Sequence, residues 1–295
     1  MPKLEPFQDD YYLWDYVPSI ALSLIFLLLF LALTLFHVWK ASTTRARFCI
    51  PFIIGGVYFR LPAVSPFVLS TITKPFPILP VEVTGFAVRA ACTNATANLI
   101  LYVLQTVFIL LGPVLFAASV YMVLARLIRS VAAEKYSLIR ITWVTKAFVT
   151  GDILSFLVQG QGSGLQASDG LETVAKAIVI TGLMIQIVVF GFFIATAVVF
   201  ERRMRRAPTS EAPYTHHLYP LYAISGLIML RSVFRVFEYG LGQKGYLLVN
   251  EWPLFVFDAV PMVAVMGIWG RWHPGTIHRE ARGQSLSMGG YRSMA

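Results

Sequence analysis

The chain has 295 residues, 57% of them hydrophobic and only 13% charged, with a formal charge of +9. A soluble domain carries about 25% charged residues, so a water-facing globular surface is excluded and a membrane protein is expected. In that setting an excess of Lys and Arg marks cytoplasmic loops, and no nucleic-acid partner is expected.

The N-terminal segment, residues 1–16, carries Glu5, Asp9, Asp10 and Asp15 against Lys3. It lacks the basic start of a cleavable signal peptide, so the first apolar block is predicted to be a retained span. In chain order, six spans read directly: Val17–Trp39, Leu99–Leu124, Ile141–Gly160, Ala175–Phe200, Leu218–Tyr239 and Trp252–Trp269. One further crossing is expected between Phe48 and Ala91, where Pro62, Pro66, Pro75 and Pro77 separate two apolar pieces. Each piece falls short of the roughly 20 residues a spanning helix needs.

The cations fix an orientation. Lys40, Arg45 and Arg47 follow the first span, and Arg126, Arg129, Lys135 and Arg140 follow the third. Arg202, Arg203, Arg205 and Arg206 follow the fifth, and the tail carries Arg271, Arg279, Arg282 and Arg292. The alternate segments carry Lys3, Lys176 and Lys244. Seven crossings satisfy this alternation, with the N-terminus outside and the C-terminus cytoplasmic. The expected fold is all-α: a seven-transmembrane helix bundle over residues 17–272 with a cytoplasmic tail at 273–295. Tyr11, Tyr12, Trp14 and Tyr16 at one end, and Trp39, Trp269 and Trp272 at the other, suit the two interfaces.

Ionisable groups inside spans are costly and therefore informative. Glu82 and Arg89 are seven residues apart on one helical face. Asp152, Ser155 and Gln159 form a polar face, and Arg231, Arg235 and Glu238 stack by intervals of four and three. Asp258 precedes Pro261 in the last span, and Gln105, Gly112 and Ser119 recur at intervals of seven as a small, polar stripe for close packing. Two roles stay open. The acids Glu82, Asp152, Glu238 and Asp258 nearly match the bases Arg89, Lys146, Arg231 and Arg235, as charge pairing would require. The same groups could line a substrate pathway, and both roles can coexist.

Other chemistries lack their residues. No G-x-x-x-x-G-K-[ST] loop occurs, and Gly160-Gln161-Gly162-Ser163-Gly164 reads as a flexible outer loop. His37, His216, His217, His273 and His278 sit at or beyond span ends, against an intramembrane zinc hydrolase, and His216-His217 reads as a solvated loop pair. No lysine in the last span could bind retinal. Cys49 and Cys92 support no disulfide framework or metal site and read as packing residues. Asn94-Ala95-Thr96 is a glycosylation sequon set too close to the third span for use. No cofactor, metal or catalytic residue is expected.

Several stretches resemble one family: Tyr16-Val17-Pro18-Ser19, Glu82-Val83-Thr84-Gly85-Phe86-Ala87-Val88-Arg89 and Leu115-Phe116-Ala117-Ala118-Ser119-Val120-Tyr121-Met122. Further on come Phe148-Val149-Thr150-Gly151-Asp152 through Gly160, Arg231-Ser232-Val233-Phe234-Arg235-Val236-Phe237-Glu238-Tyr239, Phe257-Asp258-Ala259 and His273-Pro274. The pattern resembles the fungal RTA-like lipid-translocating exporters, linked to resistance to aminocholesterol and sphingoid long-chain bases. The resemblance implies seven spans, a plasma-membrane or other surface location, and export or flipping of amphipathic lipids, with membrane lipids and an amphipathic lipid substrate as partners. One departure is an apparent insertion near residues 58–80 that interrupts the second span. The alternative reading is a seven-helix receptor or sensor of lipophilic ligands. Against it, the third span does not end in Asp-Arg-Tyr and the last lacks Asn-Pro-x-x-Tyr.

Overall fold

Lipid offers no partner to a backbone N–H or carbonyl, so a chain this apolar must satisfy its backbone internally. Among the described residues it does so with helices alone. The computed structural model describes residues 6, 12, 14, 16–44, 81–130, 134–138, 140–165, 171–206, 215–241 and 245–272. The insertion near 58–80 and the tail at 273–295 lie outside the described residues. The helices are α1 (Ile20–Thr44), α2 (Val81–Cys92), α3 (Leu99–Ser130), α4 (Ile141–Leu165), α5 (Glu172–Arg205) and α6 (Thr215–Gly240). A short α7 (Tyr246–Val249) follows, and the last helix is α8 (Leu254–Trp272).

Five segments are long and apolar enough to cross a bilayer: Ile20–Lys40, Leu99–Ser130, Thr173–Arg205, His216–Gly240 and Leu254–Trp272. Helix α4 is as long as α1 at 25 residues but carries Lys146, Asp152, Gln159 and Gln161, which lower its hydropathy. Helix α2 has 12 described residues.

The helices pack in a closed ring. Each of α1 to α6 contacts the next, α6 contacts α8, and α8 returns to α1, while α3 also crosses to α6. The apolar stretch of α3 is accordingly 67% buried, against 22% for α1. Helix α1 turns Ile25, Leu28 and Leu35 outward, as a lipid-facing helix would. A core of aromatic side chains joins α3, α4 and α5, with the Tyr121 ring 4.6 Å from Phe193 and 5.3 Å from Phe148.

Two expectations are corrected here. Gly160–Gly164 is not a loop but part of α4. Glycine breaks helices in water, yet between packed helices it admits a neighbouring backbone. A Cβ on Gly162 would stand 2.6 Å from Val179 Cγ2 and 2.9 Å from the Ala175 carbonyl. Gly182 of α5 reciprocates, its Cβ position lying 3.0 Å from the Ser155 carbonyl. Likewise His217 is not solvated: it is buried in α6, and its Nδ1 accepts a 2.9 Å bond from Trp272 Nε1. His216 is exposed.

Prolines shape the two helices that matter most. Pro113 lies inside α3. In α8, Leu254–Ala259 is π-helical, the Val260 N–H reaching the Phe255 carbonyl five residues back. Pro261 follows directly. Its ring crowds the carbonyl four residues earlier and it has no N–H to offer, so the wider turn falls where an α-helical bond could not form.

Candidate functional site: buried charge networks

The spacing of Arg231, Arg235 and Glu238 sets all three on one face of α6, and that face meets the π-helical turn of α8. Asp258 in that turn takes both guanidiniums. Its Oδ1 pairs with Arg231 Nε, and its Oδ2 accepts from Arg235 Nη2 at 2.5 Å. Arg235 Nη1 also donates to Glu238 Oε2 at 2.9 Å. All four side chains are buried. A lone charge at the bilayer centre costs about 2.5–3.5 kcal/mol on insertion scales, so this mutual pairing is what makes the cluster tolerable.

Arg231 makes one more bond, and Pro113 explains it. In a regular helix the Ile109 carbonyl would accept from the N–H of residue 113, which proline lacks. Arg231 Nη2 donates to that carbonyl at 3.0 Å instead. The backbone group freed in α3 is thus satisfied from α6, as a membrane interior demands.

Glu82 joins the cluster from α2. It is 4% exposed, and its Oε1 has no hydrogen-bond partner. Its strongest charged neighbours are Arg231, Asp258 and Arg235. The carboxyl fills space that only glycine leaves at position 112: a Cβ there would lie 2.6 Å from Glu82 Cδ and 2.8 Å from Cγ.

The other candidates fall into separate groups. Arg89 is held at the far end of α2, its Nη2 donating to Glu251 Oε1 at 2.8 Å and to Tyr16 Oη at 3.0 Å. The Trp14, Tyr16 and Phe255 rings lie 5.3, 5.9 and 5.5 Å from the guanidinium carbon, which favours the cation further. Glu251 also accepts the Ser19 N–H at 3.0 Å on both oxygens. It therefore caps the start of α1 while neutralising Arg89.

Asp152 stands apart from every described arginine. Its Oδ2 accepts a 2.7 Å bond from Tyr121 Oη, and its Oδ1 has no hydrogen-bond partner, although the residue is 1% exposed. One and two turns along α4, Ser155 bonds its own helix at Gly151, and Gln159 Nε2 donates to Gln186 Oε1 at 3.0 Å. Lys146, counted in sequence among the bases available for pairing, is exposed and away from these acids. A shallow apolar groove of about 360 Å³ between α4 and α5 is lined by Val158, Thr173, Val174, Ala177, Ile178 and Thr181. None of the eight candidate residues lines it. Among the described residues, no group of His, Cys, Asp and Glu is arranged to hold a metal.

Glu251, Tyr121, Gln186 and Pro113 were not singled out by sequence. Glu251 had a faint signal as the lone acid between the last two predicted spans. Tyr121 sits within an apolar run with no spacing signal of its own.

Residues 79–281, which include every one of these buried charges, match the family described as RTA1 like protein. The chain belongs to the RTA1-like family. The match begins at the edge of the stretch read as an insertion. Protein RTM1 of Saccharomyces cerevisiae is 31% identical over 86% of this chain and 89% of its own length. The protoporphyrin uptake protein 1 of the same species is 28% identical over 88% of this chain and 90% of its own. The sphingoid long-chain base transporter RSB1 (S. cerevisiae strain YJM789) is 22% identical over 93% and 77%. No solved structure matches. With its apolar helices, this RTA1-like chain is an integral membrane protein.

Proposed function

We propose that this RTA1-like chain transports amphipathic lipids across the plasma membrane as a seven-span bundle, and that a long-chain base is its substrate class. Similarity to a sphingoid long-chain base transporter supports the lipid class. The observation that carries the charge of the substrate is Asp152. It is a buried carboxylate that no described arginine neutralises, with one oxygen open. A long-chain base has an ammonium head and an alkyl tail, so Asp152 could receive the head while the tail stays in lipid. The Tyr121 ring that bonds Asp152 packs at tilted angles against Phe148, Phe190 and Phe193, with centroids 5.3, 6.0 and 4.6 Å away, an aromatic wall that suits a cation. An anionic cargo would need free guanidiniums, and Arg231 and Arg235 are already held by Asp258 and Glu238.

The test is release of a labelled sphingoid base from cells with the wild type, with Asp152→Asn, and without the protein. The reading requires faster release with the wild type, and an Asp152→Asn protein that reaches the surface in normal amount but fails to export. If Asp152→Asn exports normally, the head-group role is wrong. Equal release with and without the wild type, together with ligand-dependent signalling, would favour the receptor instead.

A further inference from the structure

The cluster between α2, α3, α6 and α8 does not balance. Among the described residues, two guanidiniums, Arg231 and Arg235, face three carboxylates, Glu82, Glu238 and Asp258. If all were ionised, one negative charge would stand uncompensated among groups that are each buried, a costly state in a membrane interior. The pairing shows which acid is in surplus. Asp258 holds both arginines and Glu238 holds Arg235, while among the described residues Glu82 has no hydrogen bond at Oε1 and no ion pair within 4.0 Å.

We infer that Glu82 is a proton-binding site, carrying an exchangeable proton that makes the five-residue cluster neutral and couples proton movement to the lipid transport proposed above. Among the described residues, the other charged or titratable groups facing it are few. Helix α6 contributes Arg231, Arg235, Glu238 and, beside Arg235, Tyr239. Helix α8 contributes Asp258, α3 presents only Gln105, Gly112 and Ser119 along its small stripe, and on α2 itself Arg89 is committed to Glu251. With the proton on, both arginines stay on Asp258 and α6 is tied to α8. With the proton off, Glu82 offers Arg231 a second carboxylate, on a different helix. Arg231 is also the donor to the freed Ile109 carbonyl, so its position is felt in α2, α3, α6 and α8 together.

The coupling part rests on the transport reading, so two measurements separate the claims. The first is infrared difference spectroscopy of the purified protein between high and low pH, reading the carbonyl stretch of a protonated carboxylic acid. A titrating band is expected in the wild type and in Asp152→Asn, and its loss is expected in Glu82→Gln. A wild type without such a band, or a band unchanged in Glu82→Gln, overturns the inference. If Glu82→Gln does not fold, Glu82→Asp serves: its band must move in position or midpoint, and an unmoved band overturns the inference equally. The second measurement follows a fluorescent long-chain base in phosphatidylcholine vesicles under an imposed pH gradient. Wild-type movement should change several-fold with the gradient, and Glu82→Gln should still move the base but ignore the gradient. A gradient response retained in Glu82→Gln refutes the coupling while the transport reading stands. A wild type that moves no base refutes that reading and the coupling with it, and the infrared result alone then decides the proton site.

Discussion

If Arg231 bonds the Ile109 carbonyl because Pro113 cannot, then the two residues are energetically coupled although one is in α6 and the other in α3. Replacing Arg231 with Lys keeps the charge for Asp258 but loses the planar fork whose Nε and Nη2 reach two separate partners, and the point-like ammonium is expected to stay with the carboxylate. The Ile109 carbonyl is then left without its donor, at about 1–3 kcal/mol for an unsatisfied buried group. Measured polar contacts between membrane helices average lower, about 0.6 kcal/mol with a maximum near 1.7, so the cost should fall near 1 kcal/mol. Replacing Pro113 with Ala restores the N–H, and the carbonyl regains its own helical partner. In that background the part of the Arg231→Lys cost that comes from the carbonyl should vanish. A double-mutant cycle, read as midpoints of heat or detergent-denaturant unfolding of purified protein, measures the difference. Sites without shared partners add within about 0.3–0.5 kcal/mol. A coupling inside that range would refute the account of Pro113, whatever the single mutants cost.

Gly112→Ala should lower stability by about 1–3 kcal/mol through overpacking, since its Cβ would strike the Glu82 carboxyl. Shortening the acid with Glu82→Ala in the same chain should recover most of that loss in the same unfolding assay. Glu251→Gln should loosen the start of α1, raising hydrogen exchange at Ser19 about tenfold, the equivalent of about 1.4 kcal/mol, with α5 unchanged. Tyr121→Phe removes the donor to Asp152 and should cost about 1–3 kcal/mol, more than Asp152→Asn, whose amide oxygen can still accept from Tyr121. Cysteine-accessibility labelling should find the Arg202–Arg206 segment on the cytoplasmic side, and labelling from outside would overturn the topology.

Helical period alone gathered Arg231, Arg235 and Glu238 on one face, and an acid inside an apolar run was enough to mark Asp258. Those signals are local, so they are legible in one dimension. What escaped was every feature completed by a partner distant in sequence. Glu251 reads as an ordinary loop acid until Arg89, 162 positions away, is placed beside it. Pro113 reads as a kink, and only the fold shows which side chain serves the carbonyl it frees. The Gly160–Gly164 run reads as a loop yet is helix, because glycine carries opposite meanings in water and between packed helices. The crossing expected between Phe48 and Ala91 is illegible through its prolines, and of that region only α2 falls among the described residues.

Helix α1 is fastened to α8 at both ends. At one end Glu251, just before α8, binds the first turn of α1 through Ser19. At the other, His37 Nε2 donates to the Met266 carbonyl at 3.0 Å and Lys40 Nζ to the Gly270 carbonyl at 2.6 Å. Gly270 adds to this, since a Cβ there would touch Phe36 at 2.9 Å. Two rods pinned at top and bottom behave as one plank: they can tilt together but cannot slide or splay. A bundle that opens a route for lipid must therefore part along another seam. The α5–α6 seam is not that one, since it is pinned in the same way, Lys176 Nζ donating to the Gly240 carbonyl at 3.0 Å at one end and Tyr222 Oη to Glu201 Oε2 at 2.8 Å at the other.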